Sequence, residues 1–393
     1  MRVLLFTGKG GVGKTTASAA TATLAALRGR KTLVLSTDPA HSLADALGVP
    51  LGPDPTEVDT GLYGMQVDAQ RRFEQTWAEV AGYLRSVLET TGVDPIQAEE
   101  LTVLPGAEEV LALLEVRSQV ASGRWDVVIV DCAPTAETLR LLALPEALNW
   151  YVERVFPAQR RAVRSLRPVL SRLAGAPMPH DQVFVALERL HHELGEVRAA
   201  LTGPAATIRL VLTPESIVVA EARRMLTSLS LHGYRVDGVL ANRVFPAADA
   251  DPWRAGWVAS QSAQLDEVRA SFAPLPVHLA PYRAVEPVGP GELAAFATEV
   301  YAGSDPLATP AAAESMTVVR DGKGFTLSLV LPLAERRDVD LARSGDELVV
   351  TVAGDRRLLA LPSALRRCTV SGAALADGRL QVSFRPDPDK WMR

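Results

Sequence analysis

Cysteine is scarce in this chain, with only Cys132 and Cys368 among 393 residues. Two cysteines this far apart exclude a disulfide framework, and without a C-x-x-C pair they also exclude the usual zinc and thiol-redox sites. Long apolar runs are missing too, since none reaches the roughly 18 residues of a membrane-spanning helix. The first apolar strand begins within three residues of the start, so we expect no signal peptide and a cytoplasmic protein.

A strong charge of either sign is also missing. The net charge is −5 at pH 7, which gives no reason to expect nucleic acid or an anionic membrane as a partner. The hydrophobic fraction of 48% and the charged fraction of 22% are ordinary for a globular protein. The length leaves room for two domains.

What the chain does contain is a phosphate-binding motif near its start. Residues 3–6 form an apolar run typical of a buried strand, and residues 15–27 are rich in alanine and helical in character. The segment between them, which reaches the first residue of the helical stretch, matches G-x-x-x-x-G-K-[ST]. The matching residues are Gly8, Lys9, Gly10, Gly11, Val12, Gly13, Lys14 and Thr15, and Thr16 follows them. Glycines let backbone N–H groups face an anion, and the helix start adds positive charge. The motif predicts a nucleoside triphosphate site where Lys14 contacts phosphates and Thr15 binds Mg²⁺.

Two acidic residues follow buried strands elsewhere in the chain. Residues 31–36 and 125–131 are apolar strand patterns, with Asp38 just beyond the first and Asp131 at the end of the second. Ligands of open α/β sheets bind beyond the carboxyl ends of the strands, so both acids are predicted near the phosphates. Asp38 can hold a water molecule in line for attack. A helix N-cap is the alternative interpretation of either residue.

The order of elements predicts an α/β fold, a doubly wound parallel sheet typical of P-loop NTPases. Further strands are predicted at 62–67, 207–212, 236–241 and 275–279. Apolar residues at helical spacing in 69–123 and 149–203 predict an inserted helical subdomain. This subdomain is either a lid packed on itself or a groove for an apolar client helix. Adaptable grooves for apolar clients tend to be rich in methionine, and this chain has only six, which argues against the groove.

The end of the chain has a different character. Residues 303–314 have the small, proline-containing composition of a linker. Short strands at 325–331, 347–352, 358–361 and 380–384, separated by Gly and Asp turns, predict an all-β sandwich over 315–393.

Three motifs together, at 8–16, 36–42 and 131–135, resemble those of the ArsA family of ATPases. That family includes arsenite-pump ATPases and ATPases that target tail-anchored membrane proteins. The resemblance covers residues 1–302, and the tail resembles an α-crystallin domain, chiefly at 376–382. The resemblance implies ATP and Mg²⁺ as cofactors.

The resemblance also implies roles for single residues of the catalytic centre. Lys9 resembles a lysine that reaches across a dimer interface to the partner's nucleotide. Asp38 corresponds to the water-orienting residue of the first switch segment. Asp131 corresponds to the acid of the second switch segment, which holds Mg²⁺ through water.

On the base side, Asn242 corresponds to the asparagine that recognises adenine. Glu221 resembles a glutamate near the partner's nucleotide. Pro281 and Tyr282 lie in a loop that resembles the one flanking the base.

Several departures from the family pattern limit what is carried over. The cysteine triad of arsenite pumps and the C-x-x-C zinc pair of targeting factors are both missing. Ala136 and Glu137 stand where the family often has Gly-His, so a histidine role there is not expected. One phosphate loop in the chain means that a homodimer must supply the second site.

The arginine-rich stretch 150–179 is a solvated face or a docking face for an acidic or lipid partner, so membrane contact is at most peripheral.

Four functions are compatible with these features. The first is a dimeric Mg²⁺-dependent ATPase that switches a helical client-binding subdomain. The second is a nucleotide-gated holdase with little turnover. The third is an arsenite-pump subunit, against which the missing cysteines argue. The fourth is a MinD-like positioning ATPase, which shares Lys9 but usually ends in an amphipathic membrane helix.

Overall fold

The computed structural model describes residues 1–38, 42–67, 107–132, 181–248, 251–309, 315–322 and 324–388. Most of the predicted helical subdomain, at 68–106 and 133–180, lies outside the described residues. So do Ala136 and Glu137, and residues 310–314 of the predicted linker. Within the described residues, no helix is long and apolar enough to cross a bilayer.

The larger domain is built on one sheet of eight strands in the order β3-β4-β2-β5-β1-β6-β7-β8. Only the pairing of β3 with β4 is antiparallel, and the other pairs are parallel. This confirms the predicted parallel α/β sheet. The strands are β1 (Arg2–Thr7), β2 (Thr32–Ser36), β3 (Thr56–Asp59), β4 (Leu62–Gln66), β5 (Val127–Asp131), β6 (Ala206–Leu212), β7 (Val236–Val244) and β8 (Val277–Pro281).

Burial explains why the central strands form where they do. Every residue of β2, β5 and β6 is buried, as expected for parallel strands covered on both faces. The described helices are α1 (Lys14–Leu27), α2 (Ser42–Leu47), α3 (Ala107–Ala121), α4 (Asp181–Thr202), α5 (Ser216–Leu231), α6 (Pro252–Phe272) and α7 (Gly289–Tyr301). Helix α1 packs on β1, β2 and β5 and against α7, which fixes the phosphate loop at the carboxyl edge of the sheet.

Several predicted boundaries were wrong for identifiable reasons. Strand β5 begins at Val127, because Asp126 binds the backbone of Lys31 through its own N–H and its carboxylate. Strand β7 continues past position 241 to Val244, because β8 pairs with it out to that residue. Strand β8 itself begins two residues later than predicted, at Val277.

The smaller domain is a sandwich of two antiparallel sheets, which confirms the predicted all-β domain. The sheets have the orders β14-β15-β10-β9 and β11-β12-β13. The inner faces meet in a core that includes Leu327, Leu329, Leu348, Val350, Leu380, Val382 and Phe384. Its elements are β9 (Met316–Asp321), β10 (Gly324–Val330), a 3₁₀ turn (Arg336–Asp338), β11 (Val339–Ser344), β12 (Glu347–Val352), β13 (Asp355–Ala360), α8 (Ser363–Arg366), β14 (Cys368–Ala376) and β15 (Arg379–Pro386).

The two domains meet at the carboxyl end of α5. Leu231, the last residue of that helix, is fully buried in the core of the sandwich. The guanidinium of Arg357 donates a hydrogen bond to the Leu231 carbonyl oxygen, and Thr227 Oγ1 donates to the Pro332 carbonyl oxygen at 2.7 Å. Helix ends leave carbonyl oxygens without intrahelical partners, so Arg357 caps this one. The last turn of α5 therefore anchors the sandwich to the larger domain.

Candidate nucleotide site

The phosphate loop connects β1 to α1 and depends on glycine at two crowded positions. A Cβ on Gly8 would lie 2.0 Å from the Val211 carbonyl oxygen. Gly13 has φ of 92°, and a Cβ there would lie 2.2 Å from Asn242 Nδ2. Gly10, by contrast, faces open space. The loop is thus packed against β6 and β7 behind, with open backbone in front where an anion can approach.

Lys14 is the first residue of α1 and is only 6% exposed. Its Nζ donates to the Lys9 carbonyl oxygen at 3.2 Å, so the ammonium group is held inside the loop. An ammonium has three protons to donate, so most of its hydrogen-bonding capacity is left for a ligand. The residue before it, Gly13, caps α1 without a side chain, which leaves the first N–H groups of the helix for an anion.

Thr15 and Asp131 lie side by side at the centre of the site. Thr15 Oγ1 donates to Asp131 Oδ2 at 2.7 Å, and Ser42 Oγ lies 3.2 Å from the same hydroxyl. Asp131 is 1% exposed, and burial raises its pKa to about 7 against the opposing effects of Thr15 and Lys14.

Asp131 Oδ1 is buried without a hydrogen-bond partner among the described residues. A buried polar atom without a partner is uncommon and calls for a reason. Hydroxyl and carboxylate oxygens are the ligands of Mg²⁺, which also keeps several waters of its own. The donor set of Thr15 and Asp131, with one acceptor oxygen free for a metal-bound water, therefore fits Mg²⁺.

Asp38 lies two residues beyond the end of β2 and is half-buried. Its N–H donates to Ser36 Oγ at 3.1 Å, and its carbonyl oxygen accepts from Gln66 Nε2 at 2.6 Å. Helix α2 is described from Ser42 onward, and residues 39–41 lie outside the described residues, so the alternative interpretation of Asp38 as its N-cap is untested. Asp38 and Asp131 are brought to neighbouring strand ends, as predicted from their positions.

Lys9 and Glu221 meet within one chain. Lys9 Nζ lies 3.5 Å from Glu221 Oε2, with the two side chains 40% and 28% exposed. Glu221 belongs to α5, so the ion pair connects this helix to the phosphate loop. The predicted role of both residues at a partner's nucleotide stays a prediction.

Asn242 packs against the back of the phosphate loop. Its Nδ2 donates to the Val12 carbonyl oxygen at 2.8 Å, and its Oδ1 accepts from the Arg243 N–H at 2.9 Å. A primary amide has two protons and two lone-pair positions, so each group keeps one position for a base. The predicted recognition of adenine by Asn242 stays a prediction.

A cavity with aromatic walls is lined by Arg243, the residue that follows Asn242. Tyr282, which follows Pro281 at the end of β8, stacks on Phe245 with ring centroids 5.1 Å apart. The cavity has a volume of about 420 Å³, and its lining includes Glu215, Arg243, Phe245, Trp257, Gln264 and Tyr282. Tyr282, in the loop predicted to flank the base, therefore lines this cavity.

Sequence reasoning missed two residues of the site, Ser36 and Gln66. In the parallel register, Gln66 is paired with Ser36 and Ser36 with Asp131. The sequence signal that could have identified them is a polar residue at or next to the end of a predicted strand. Among such residues, only the aspartates were interpreted as functional.

Comparison with known proteins identifies the family. Residues 1–302 match the anion-transporting ATPase family, ArsA ATPase. The chain belongs to this family. Residues 322–384 match the HSP20-like domain found in ArsA proteins, which agrees with the β-sandwich. Membership supports nucleotide binding and ATPase activity for this site.

Three relatives align with nearly all of this ArsA-family protein. An uncharacterized protein of Streptomyces coelicolor is 40% identical over 100% of both chains. A Chlorobaculum tepidum protein named "Putative arsenical pump-driving ATPase" is 36% identical over 98% of this chain and 96% of its own. An Aquifex aeolicus protein named "Putative arsenical pump-driving ATPase 1" is 34% identical over 93% and 95%. The combination of ATPase domain and sandwich is thus shared across these relatives.

Proposed function

We propose that this protein is a Mg²⁺-dependent ATPase that acts as a homodimer and uses ATP to switch the helical subdomain that the sequence predicts at 69–123 and 149–203. The observation that carries the proposal is the convergence of Lys14, Thr15 and Asp131 at the start of α1. There a buried ammonium, a hydroxyl and an acceptor oxygen that has no partner in the described part of the chain share one site.

Phosphoryl transfer depends on positioning and on neutralising charge more than on covalent help. Lys14 and the amino end of α1 place positive charge where the β- and γ-phosphates bind. Mg²⁺ would add charge neutralisation when bound, with Thr15 and Asp131 as the residues that would hold it. Asp38 is the residue proposed to hold the attacking water in line. Its N–H is bound to Ser36 Oγ, and its neighbour Thr37 donates through Oγ1 to the Asp131 carbonyl oxygen, so this segment is held next to Asp131.

The ATPase proposal is tested by steady-state hydrolysis of ATP by the full-length protein, with Mg²⁺ and with EDTA. We expect turnover only with Mg²⁺, and its loss in Lys14→Ala and Asp38→Asn. Lys31→Ala is the matched control, because Lys31 is an exposed lysine at the opposite edge of the sheet. Wild-type protein that hydrolyses no ATP under any of these conditions would contradict the proposal.

The homodimer is supported by the single phosphate loop and by the partial exposure of Lys9 and Glu221, which leaves both within reach of a partner. Mixing Lys9→Ala with Lys14→Ala protein tests whether Lys9 acts across the interface. A mixed dimer then has one complete site if Lys9 is supplied by the partner, and none if it acts within its own chain. Random pairing would restore about a quarter of wild-type turnover in the first case. A mixture as inactive as its components would refute action across the interface.

The client is proposed to be an apolar helical segment, on the basis of the amphipathic stripes in the helical part. The assay is fluorescence anisotropy of a labelled apolar helical peptide of about 20 residues, long enough to span a bilayer. We expect affinity to differ between the ATP-bound Asp38→Asn protein and the nucleotide-free protein. Equal affinity in both states would separate client binding from the nucleotide cycle and favour a holdase without a switch.

The names of two relatives raise arsenical transport as a second function. Cys132 is buried in the core of the larger domain and Cys368 in the core of the sandwich. Two buried thiols in separate cores cannot bind one metalloid together. The proposed function therefore excludes arsenite as an effector, and stimulation of hydrolysis by arsenite would contradict it.

A further inference from the structure

Three polar side chains lie in one row where three neighbouring strands end. Gln66, Ser36 and Asp131 are the last residues of β4, β2 and β5 and are paired in register. Residues in register on adjacent strands project to the same face of a sheet. All three are at most 5% exposed, and the hydrogen bond from Ser36 to Asp131 lies out of water. Buried polar groups are costly unless paired, so such a row requires an explanation.

Ser36 contacts both acidic residues of the site. Its Oγ accepts the hydrogen bond from the Asp38 N–H at 3.1 Å and donates to Asp131 Oδ2 at 3.4 Å. A hydroxyl has one proton and two acceptor positions, so it makes both contacts at once. One side chain thus connects the backbone of Asp38 to the carboxylate of Asp131.

Gln66 holds the other backbone group of Asp38. Its Nε2 donates to the Asp38 carbonyl oxygen at 2.6 Å, while its own N–H is bound to the Gly52 carbonyl oxygen at 2.9 Å. The N–H and the carbonyl of Asp38 are therefore both fixed, one by Ser36 and one by Gln66. With the backbone fixed, the Asp38 carboxylate is restricted to the few positions that its staggered χ1 rotamers permit, so these bonds limit where the carboxylate can lie.

We propose that Ser36 and Gln66 are positioning residues that fix the backbone of Asp38 relative to Asp131, so that the two acids act as one unit. This inference rests on the proposed function, which gives Asp38 its role with the attacking water. It predicts a loss of turnover rather than a loss of ATP binding, because an aspartate that is misplaced by a fraction of an ångström still permits the phosphates to bind.

The variants are Ser36→Ala and Gln66→Met, which remove the two hydrogen-bonding groups with little change in volume. Ser36→Thr keeps the hydroxyl. Thr32→Val is the matched control, because Thr32 is a fully buried hydroxyl at the opposite end of β2, bound to the Arg30 carbonyl oxygen at 2.9 Å. Each is made in the full-length protein, and its melting temperature is measured alongside kcat and the KM for ATP.

We expect Ser36→Ala and Gln66→Met to lower kcat about tenfold, with the KM for ATP within about twofold of wild type. Ser36→Thr should recover most of the turnover, and Thr32→Val should keep wild-type kcat even if it melts earlier. The inference is overturned if KM rises while kcat is unchanged. It is also overturned if Thr32→Val loses as much turnover as Ser36→Ala, since the hydroxyl at the site would then be only structural.

A double-mutant cycle separates positioning from general damage. If Gln66 acts through Asp38, Gln66→Met should have little further effect on single-turnover hydrolysis in Asp38→Asn protein. Full additivity of the two losses would overturn the inference. An inactive wild-type protein would instead refute the proposed function, so the two failures are distinguishable.

Discussion

Replacing Asp131 with asparagine should stabilise the nucleotide-free protein while abolishing Mg²⁺-dependent turnover. The carboxyl group is 1% exposed, and burial raises its pKa from 3.8 to about 7. An asparagine has nearly the same shape and never ionises. Its amide oxygen can still accept the hydrogen bond that Thr15 donates to Asp131. The substitution therefore removes the cost of a buried charge and keeps the packing.

The direction with pH follows from where the proton is held more tightly. The folded carboxyl has a pKa of about 7 and the unfolded one about 3.8, so protonation favours the folded state. That advantage is complete below about pH 4 and is lost as the pH rises through about 7. At about 1.36 kcal/mol per pKa unit, this difference in pKa lowers the free energy of unfolding, relative to acid pH, by roughly 4 kcal/mol above neutral pH and by about half of that near pH 5.5.

The assay is the melting temperature of nucleotide-free wild type and Asp131→Asn at about pH 5.5 and about pH 8. The stability advantage of the variant should grow by about 2 kcal/mol between these conditions, a change of several degrees. Asp266→Asn is the control, because its side chain is 73% exposed and should give no such trend. A variant no more stable than wild type at the higher pH, or an advantage independent of pH, would refute the reasoning.

Two further substitutions test the packing of the site and of the domains. Gly13→Ala should abolish binding of a fluorescent ATP analogue and lower the melting temperature. The reason is that the new Cβ would lie 2.2 Å from Asn242 Nδ2, on a backbone with a φ of 92°. Gly10→Ala is the control and should keep the wild-type melting temperature, because a Cβ on Gly10 would face open space. Leu231→Ala should lower the free energy of unfolding by about 2–5 kcal/mol in calorimetry. Leu27→Ala, where the leucine is 64% exposed, should change it by less than about 0.5 kcal/mol, and equal effects would show that Leu231 is not a packing residue.

The central strands and the phosphate loop were predictable because local sequence determines them. Strands β1, β2 and β5 are apolar runs, and two-sided burial selects such runs. The phosphate loop requires glycine at the positions approached by the backbone or by Asn242. The spacing of these glycines forms a motif that can be recognised in the sequence alone. Asp38 and Asp131 followed from one rule, that parallel strands present their carboxyl ends at one edge.

The edge strands were not predictable from their own residues. Strand β3 is four mostly exposed residues, and it forms by pairing with β4 across the turn at Gly61. Strand β14 is largely exposed and contains four alanine or glycine residues, which have low strand propensity, yet it pairs with β15 along most of its length. Strands β9 and β11 also escaped prediction, since partner strands rather than composition decide such pairings.

The same limit applied within the site. Ser36 and Gln66 act through hydrogen bonds that exist only because β4, β2 and β5 lie side by side in one register. Ser36 and Asp131 are 95 positions apart in the chain, and sequence spacing alone does not encode which positions become neighbours. The ion pair of Lys9 with Glu221 likewise depends on how α5 packs beside the phosphate loop.

The anchoring of the sandwich on the last turn of α5 changes what a truncated protein can reveal. A chain cut before residue 315 would lose the guanidinium cap of Arg357 and present the apolar side chain of Leu231 to water. The damaged helix is the one whose first half carries Glu221, the partner of Lys9. Aggregation or lost turnover in such a fragment would therefore reflect the loss of these contacts between α5 and the sandwich, and not a function of the sandwich itself. Point substitutions on the outer surface of the intact sandwich are therefore the sound way to find what that domain binds.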